Sequence, residues 1–590
     1  MVYVNKTCPR TTKNSALAVL RSSPTKPYSV LTDQIKVMGA VDLPEINSKK
    51  SLHGKKPEEI KVALIRPLGS LACDEEKEAV KEMGEPYQLE LLASVLISHG
   101  YQVQIFDQLA SSFDPSHPIE YPKSKSNETF VEEISGFCPD VVGISTFTYN
   151  FRKGLVIAAE LKQRLGVTIL FGGYHVTSVG KQFLLFDQLS NENPAGADVF
   201  RQDLRNVFQH GIVDFACIGE GIKTLPEILL AVRGLKNPRE ISGAAFMDDD
   251  KIHASAAERI MPDEYPLPFR ANFDPMKYYA TGRGYPFLLM STASGCRFSC
   301  KYCSTGAMNY PGVLSRSIES VIQELRQIKE RFYRTWPVSK IMINLTDEDF
   351  AANPRRVIAL CNAISDASLS KYFEFNSFLD NLSILSSNGD EMLASMKRAG
   401  FVFCFIGIES MMDDAILAHN RPDRKFQNRL HSVQAAIDRM ASHGLLYFGD
   451  HMTGFPLHNL NDLTEDYSKI LQLRRMHYMY FPILASMPGT PQYWEVLWGL
   501  FGDGFLSGVT YDHLDANHQV LSIRGGGDVK QVRDFWVQKF FTRPEYEQDA
   551  IEAAARNSEH HLFFTRMLPK LSMDYPNNHQ IRELARKFSI

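Results

Sequence analysis

No charge of one sign dominates the 590-residue chain: 64 Lys and Arg stand against 68 Asp and Glu, for a net charge of −4. Bulk charge therefore favours neither a nucleic-acid nor a membrane-surface partner. No apolar run reaches the roughly 18–20 residues that span a bilayer. The start, MVYVNKTCPRTTKNSALAVLRSSP, lacks the apolar stretch of a secretory signal. No internal repeat and no low-complexity tract is visible. The nine cysteines are an odd number, and six of them (Cys8, Cys73, Cys138, Cys217, Cys361, Cys404) are scattered. That usage excludes a secreted disulfide framework, and the scattered six read as small buried hydrophobes. These absences predict a cytoplasmic protein without a membrane or nucleic-acid partner. Apolar residues make up 44%, enough for several cores.

Residues 1–57 are polar, with Lys and Ser clusters and no sustained period. They read as an N-terminal extension, partly disordered or draped over a later domain. Residues 58–235 alternate strand and helix patterns. IKVALIRP (60–67), YQVQIFD (101–107), PDVVGIST (139–146), VTILFGG (167–173) and VDFACIGEG (213–221) read as strands. YQLELLASVLISHG (87–100), GLVIAAELKQRLG (154–166) and TLPEILLAVRG (224–234) read as helices. The alternation predicts an α/β fold with a doubly wound parallel sheet, whose ligands lie off the carboxyl ends of the strands. Small residues stand at those ends: Ser145, Thr146, Gly172, Gly173, Gly219 and Gly221. Residues 236–285, rich in Pro and aromatics, read as a connector. Six further strand–helix units across 286–500 predict a partial (β/α)6 barrel. Residues 501–590 read as a mainly helical C-terminal domain. Tyr478, Tyr480, Tyr493, Trp494 and Trp498 cluster after the last barrel strands, either as pocket lining or as core.

GCRFSCKYC (295–303) places Cys296, Cys300 and Cys303 at C-x3-C-x2-C spacing after a predicted strand. Thiolates on a short loop can converge on an iron–sulfur cluster. Structural zinc needs four ligands, and no second Cys/His pair stands nearby. A redox dithiol at Cys300 and Cys303 lacks its usual context. Three thiolates on a [4Fe–4S] cluster leave one iron open to a substrate or cofactor.

With Tyr302 before the last cysteine, this segment resembles the radical SAM superfamily. The resemblance implies that the amino and carboxylate groups of S-adenosylmethionine (SAM) chelate the open iron. Reductive cleavage would then give a 5′-deoxyadenosyl radical that abstracts hydrogen from substrate, so no side chain is assigned as a catalytic acid or base. It further implies that Tyr302 meets adenine through its backbone. In TDEDF (346–350), Asp347 and Glu348 would face the methionine end of SAM or the substrate; read from the residues alone they are solvated loop acids. Ser377, in NSFLD (376–380), is implied to touch SAM. Glu409, in GIES (407–410), is implied to lie near the ribose hydroxyls. Gly454 and Pro456, in GFP (454–456), would lie near adenine, and PGTPQYW (488–494) resembles a family turn of structural role.

The upstream sheet resembles a cobalamin-binding domain through VVGIST (141–146), GGYHVT (172–177) and IGEG (218–221). Implied contacts are Ser145, Thr146, Gly172, Gly173, His175, Gly219, Glu220 and Gly221; His175 reads equally as a satisfied turn histidine. A flavodoxin-like sheet with ordinary turn glycines is the alternative. Many cobalamin proteins carry D-x-H-x-x-G after the first strand. Here the loop PLGSLACDEEKEAVKEMGEP (67–86) contains no His, so cobalt would receive no imidazole from it. Together the two resemblances imply a cobalamin-dependent radical SAM methyltransferase. It would methylate an unactivated carbon of a small-molecule or natural-product substrate through a 5′-deoxyadenosyl radical and methylcobalamin. An external flavodoxin or ferredoxin would supply electrons. The same scaffold performing oxidative cyclisation or rearrangement is the alternative activity, and a non-catalytic sensor is the third reading.

Overall fold

The computed structural model describes residues 9–43, 45–46, 50–69, 73–74, 79–80, 84–108, 125–270, 287–308, 312–333, 340–418, 428–556, 564, 568, 572 and 577–588. Seven strands form the first sheet: β1 (Lys61–Arg66), β2 (Gln102–Asp107), β3 (Val141–Ser145), β4 (Thr168–Gly172), β5 (Phe215–Cys217), β6 (Ala244–Asp248) and β7 (Lys251–Ala254). Their order is β2-β1-β3-β4-β5-β6-β7. The first five run parallel, and the interior strands are buried runs such as VALI and VVGI because helices cover both faces. The order reverses between β1 and β3, which opens a crevice at their carboxyl ends. There Asn150 Nδ2 donates to the Pro67 carbonyl at 3.0 Å.

Strands β6 and β7 add an antiparallel hairpin from within the stretch read as a connector. Its two-residue turn, Asp249–Asp250, has positive φ at both positions (46° and 59°), the backbone that matches strand twist. Residues 271–285 of that stretch lie outside the described residues.

The N-terminal extension differs from its aperiodic reading. Pro9–Arg21 and Tyr28–Gly39 are helices. Each buries one narrow stripe, Ala16/Val19/Leu20 and Leu31/Ile35/Met38, which the surrounding polar residues mask in the sequence. Asn206 Nδ2 donates to the Ile35 carbonyl (2.9 Å) and Trp498 Nε1 to that of Ser22 (2.8 Å), so the extension drapes over distant parts of the chain.

The second sheet holds six strands, β8 (Phe287–Met290), β9 (Ile341–Leu345), β10 (Phe373–Leu379), β11 (Phe401–Gly407), β12 (Leu446–Asp450) and β13 (Tyr478–Tyr480). They pair in chain order and all in parallel. Helices between them include Ile318–Ile328, Pro354–Asp366, Gly389–Ala399, Arg429–Ser442 and Leu460–Ile470. This is the expected partial barrel, and its strand ends open on one side. The stretch after 500 divides between two cores. Phe505, Tyr511, Leu514 and Leu521 join the core of the first sheet, whereas Phe540, Phe541, Tyr546 and Leu584 join the barrel core.

Two buried polar clusters tie the halves together. Arg270 pairs with Glu85 (3.0 Å) and Glu324 (3.1 Å), and Arg316 also reaches Glu324 (2.6 Å). Glu85 accepts the Leu289 N–H at 2.7 Å, which joins the loop after β1 to the first barrel strand. On the other side, Asp203 accepts from Tyr493 (2.9 Å), Gln182 (2.6 Å) and Tyr511. The Gln182 carbonyl oxygen in turn accepts from Trp494 Nε1 (2.9 Å) and the Gly489 N–H (3.0 Å).

Removing one partner of a buried ion network leaves a charge uncompensated. Arg270→Met is therefore expected to destabilise the protein by about 3–5 kcal/mol, read as a lower urea midpoint; a loss under about 1 kcal/mol would contradict this. Burial pushes the Asp203 carboxyl up to about 6 against its three hydrogen bonds. The native carboxyl thus keeps its proton to higher pH than the unfolded one, at about 3.9. Its contribution is complete below about pH 4 and is lost as pH rises through about 6. The thermal midpoint of the wild type, relative to Asp203→Asn, should fall between those values; parallel pH profiles would refute the assignment.

Candidate cofactor site

The cysteine loop is held at both ends before any cofactor is considered. Past β8, the Thr292 N–H and hydroxyl donate to the two Asp347 oxygens (2.6 and 2.5 Å), and Arg356 donates to the Thr292 carbonyl (2.9 Å). A short antiparallel pairing, Ala293–Ser294 with Leu314–Ser315, follows. Gly295, at φ 94°, then turns the chain, and its N–H donates to Glu348 (2.9 Å). Downstream, the Cys303 N–H closes a turn on the Cys300 carbonyl at 3.1 Å. Lys301 pairs with Glu495 (2.8 Å), and its carbonyl accepts the Gln492 N–H (3.1 Å).

Cys296, Cys300 and Cys303 are half-buried, and none is in a disulfide. The Cys296 thiol is pushed well above its ordinary value by burial, then by Asp349, then by the other two cysteines. Three such thiols on one anchored loop suit an iron–sulfur cluster by donor chemistry. Among the described residues no three His, Cys, Asp or Glu side chains converge on a single metal ion. A cluster takes its thiolates on different irons, so its cysteines stand further apart than the ligands of one ion.

The acidic segment divides its labour differently from the expectation. Asp347 is buried with both oxygens engaged by Thr292, so it clamps the loop and does not face SAM or substrate; burial pushes its carboxyl up to about 6. Glu348 is exposed and braces Gly295. Asp349, which the sequence reading passed over, is the acid at the cysteines. It lies 3.8 Å from Cys296 Sγ and 3.1 Å from Arg297 Nε, and Arg297 also pairs with Asp380 (2.6 Å). Three consecutive charged positions gave no basis for choosing among them. Ser377 is buried, with its hydroxyl on the Leu345 carbonyl (3.3 Å).

Glu409 is largely buried and adopts a left-handed φ of 64°, a strained backbone for a non-glycine residue. Its N–H donates to the Asp450 carbonyl (2.8 Å) and its carbonyl accepts the Met452 N–H (2.8 Å). Two residues absent from the sequence reading hold this turn. Arg429 donates to the carbonyls of Ile408 (2.8 Å) and Ser410 (2.9 Å). Asp466 accepts from the Ser410 hydroxyl and the Met411 N–H, both at 2.6 Å, and lies 3.3 Å from His451 Nε2. Gly454, at φ 89°, follows β12, and Pro456 lies so close to Gly502 that a Cβ there would approach to 2.6 Å. Tyr302 is half-buried against the core of the first sheet. Thr292, Asp347, Glu409 and Gly454 all follow parallel strands, so they share the open side of the barrel.

At the end of the first sheet, Ser145 and Thr146 close β3. Gly173 (φ 88°) lies so close that a Cβ would sit 2.7 Å from the Thr146 nitrogen; only glycine fits. Gly172 precedes it in open contact. The Gly219 N–H donates to Thr177 Oγ1 (3.0 Å), Gly221 starts the helix Gly221–Val232, and burial raises the Glu220 carboxyl. Of the two readings of His175, corrin contact and a histidine held within the protein, the structure fits the second. It is fully buried in the helix Tyr174–Gln188, packed on Phe151 (4.2 Å) and Tyr511 (4.8 Å), with Nδ1 3.2 Å from Thr148 Oγ1. Burial lowers it to about 3, so it is a neutral core histidine.

The surface beside it is aromatic. Phe147, 49% exposed, stacks on Tyr149 (5.4 Å, 4° between planes) and on Tyr174 (6.1 Å). The helix Tyr174–Gln188 packs against Thr305–Met308, which directly follows Cys303, so this ledge meets the cysteine loop. Of the late aromatics, Tyr493, Trp494 and Trp498 are core and Tyr480 stays exposed.

The Radical SAM superfamily pattern matches residues 290–470, and the B12 binding domain pattern matches 78–189. An uncharacterised methyltransferase of Pyrococcus horikoshii is 24% identical over 442 residues, covering 74% of this chain and 83% of that protein. The bacteriochlorophyllide d C-12(1)-methyltransferase of Chlorobaculum tepidum is 20% identical over 385 residues, covering 64% and 70%. The radical SAM methyltransferase TsrM of Kitasatospora setae, solved with cobalamin and a [4Fe-4S] cluster, shares the fold at TM-score 0.57 and 14% identity, over 90% of this chain and 99% of that one. Two such domains in one chain define a radical SAM enzyme that also uses vitamin B12. The chain thus carries the two domains that the cobalamin-dependent radical SAM enzymes combine, and their cofactors are a [4Fe–4S] cluster, SAM and cobalamin.

The Glu409 turn depends on Asp466. Asp466→Ala leaves a buried hydroxyl and a buried N–H without their acceptor, worth about 1–3 kcal/mol each. Amides 408–412 should then exchange at least about tenfold faster by mass spectrometry; unchanged exchange would show that Arg429 alone suffices.

Proposed function

We propose that this enzyme transfers a methyl group to an unactivated carbon of a small-molecule substrate. The observation that carries the reading is the packing of the helix Tyr174–Gln188, which bears the aromatic ledge, against Thr305–Met308, directly after Cys303. Radical methylation requires the two cofactor sites to face each other, and an interior seam excludes water from a reactive radical. When bound, the cofactors supply a hydrogen-abstracting 5′-deoxyadenosyl radical and a methyl carrier.

The residues bind and position. Cys296, Cys300 and Cys303 hold the cluster, with Asp349 and Arg297 orienting the first of them. Glu348 and Asp347 fix the loop. The Glu409 carboxylate takes the ribose hydroxyls, and the backbone at Tyr302 and at Gly454–Pro456 flanks adenine. Gly172, Gly173, Gly219 and Gly221 let the backbone approach the corrin and its tail, with Ser145, Thr146 and Glu220 beside them. Phe147 and Tyr149 offer the ring a flat apolar floor, and with His175 in the core no imidazole comes from that helix. An external flavodoxin or ferredoxin delivers electrons in the cytoplasm. The methyltransferases among its relatives support this reaction class.

Anaerobic reconstitution with iron, sulfide, hydroxocobalamin, SAM and a reductant tests the reading. We expect both chromophores, with S-adenosylhomocysteine and 5′-deoxyadenosine released. Cys303→Ala should abolish 5′-deoxyadenosine while cobalamin absorbance remains. Formation of 5′-deoxyadenosine without S-adenosylhomocysteine would reject methyl transfer in favour of oxidative cyclisation or rearrangement.

A further inference from the structure

Four neighbouring barrel strands carry a row of aromatic rings on the face turned away from the helices. Side chains alternate between the two faces of a strand. On β10, Ser377 and Leu379 are buried, and Leu379 shares a core with Leu360 and Cys361 of the helix Pro354–Asp366. Phe378 between them therefore points into the barrel, and it stays 42% exposed. The strand register sets Phe378 opposite Phe405 of β11, Phe405 opposite Phe448 of β12, and Phe448 opposite Tyr478 of β13. Their rings touch in that order, with centroids 5.0, 4.6 and 4.1 Å apart. Tyr480, two residues beyond Tyr478 on the same face, is 39% exposed. Phe541, from the helix Val529–Thr542, meets Tyr478 at 5.4 Å and closes that end of the row.

The row lies one step below the turns of the candidate cofactor site. Asp380, two residues past Phe378, pairs with Arg297 beside Cys296 (2.6 Å). Asp450, two residues past Phe448, accepts the Glu409 N–H on its carbonyl, and the Tyr480 carbonyl accepts the His451 N–H (2.9 Å). Two residues of strand span about 7 Å, so a molecule resting on the rings lies at the cofactor end of the barrel. Exposed large apolar side chains grouped in this way mark a binding surface. Ring faces pair best with flat partners, stacked or edge-on. The Asp450 carboxylate stands opposite Tyr480 on the same face of the sheet and disfavours an anion there. We propose that this row seats the substrate, and that the substrate presents a flat, uncharged aromatic or conjugated ring to Phe378, Phe405, Phe448 and the two tyrosines. This substrate class rests on the proposed reaction with a small molecule.

The test uses the full-length, cluster-reconstituted enzyme loaded with hydroxocobalamin, so that the ledge at Phe147 is covered. Three probes that differ in flatness and charge are measured by equilibrium dialysis: 2-naphthol, decahydro-2-naphthol and 2-naphthoate. 2-Naphthol should bind at least tenfold more tightly than either of the others. Phe378→Leu and Tyr480→Leu keep apolar side chains at exposed positions, so both should retain the wild-type thermal midpoint. Each should weaken 2-naphthol about fivefold, since an aromatic partner is lost, and leave the affinities for SAM and hydroxocobalamin within twofold. Unchanged 2-naphthol affinity in both variants would overturn the proposal. Equal binding of the flat and the saturated alcohol, or tighter binding of 2-naphthoate, would overturn it too. A fivefold loss of SAM affinity in either variant would assign the row to adenine and overturn it as well. A failure of methyl transfer is read separately, as 2-naphthol bound as expected and no S-adenosylhomocysteine released under turnover.

Discussion

The seam between two parallel sheets depends on one buried carboxylate. Asp203 gathers Tyr493, Tyr511 and Gln182, and Gln182 passes the tie on to Gly489 and Trp494. That clasp sets the register of a segment whose Tyr493, Trp494 and Trp498 also pack in the core of the first domain. Because it is fixed, Gln492 reaches Lys301 and the cysteine loop faces the helix Tyr174–Gln188. A buried ionic or polar cluster of this kind adds little net stability, since desolvation offsets most of the attraction. Its effect is positional: donors and acceptors that must all be matched admit one arrangement of the two halves.

The same economy runs through the cysteine loop. Acids beside the site are engaged in holding backbone: Asp347 holds Thr292, Glu348 holds Gly295, Asp466 holds the turn at Glu409. A radical reaction suits such a site. The reactive chemistry resides in the cofactors, and the protein contributes rigid placement within about 1 Å and a dry interior. The strained φ at Glu409, enclosed by Arg429 and Asp466, is consistent with that demand.

Much of the architecture was legible because its signals are local. Buried runs such as VVGIS and FVFCFIG announce interior parallel strands wherever they fold, since covered sheets leave no polar face. What local pattern could not convey was the use of residues whose neighbours come from afar. The stripes in Pro9–Arg21 and Tyr28–Gly39 are too narrow to stand out from their polar surroundings, and only the body they cover gives them meaning. The hairpin Ala244–Ala254 carries no Gly at its turn, and aspartates take the left-handed positions instead.

The sequence by itself determined the three thiols on one short loop, the two runs of parallel strands and the glycines at their ends. Those are properties of spacing, and spacing survives any tertiary arrangement. Tertiary structure alone decided which acid stands at Cys296, that His175 belongs to the core, and that the Gln492 backbone meets the cysteine loop at Lys301. A side chain's burial and partners depend on segments far along the chain, as Tyr493 and Asp203, 290 positions apart, make plain.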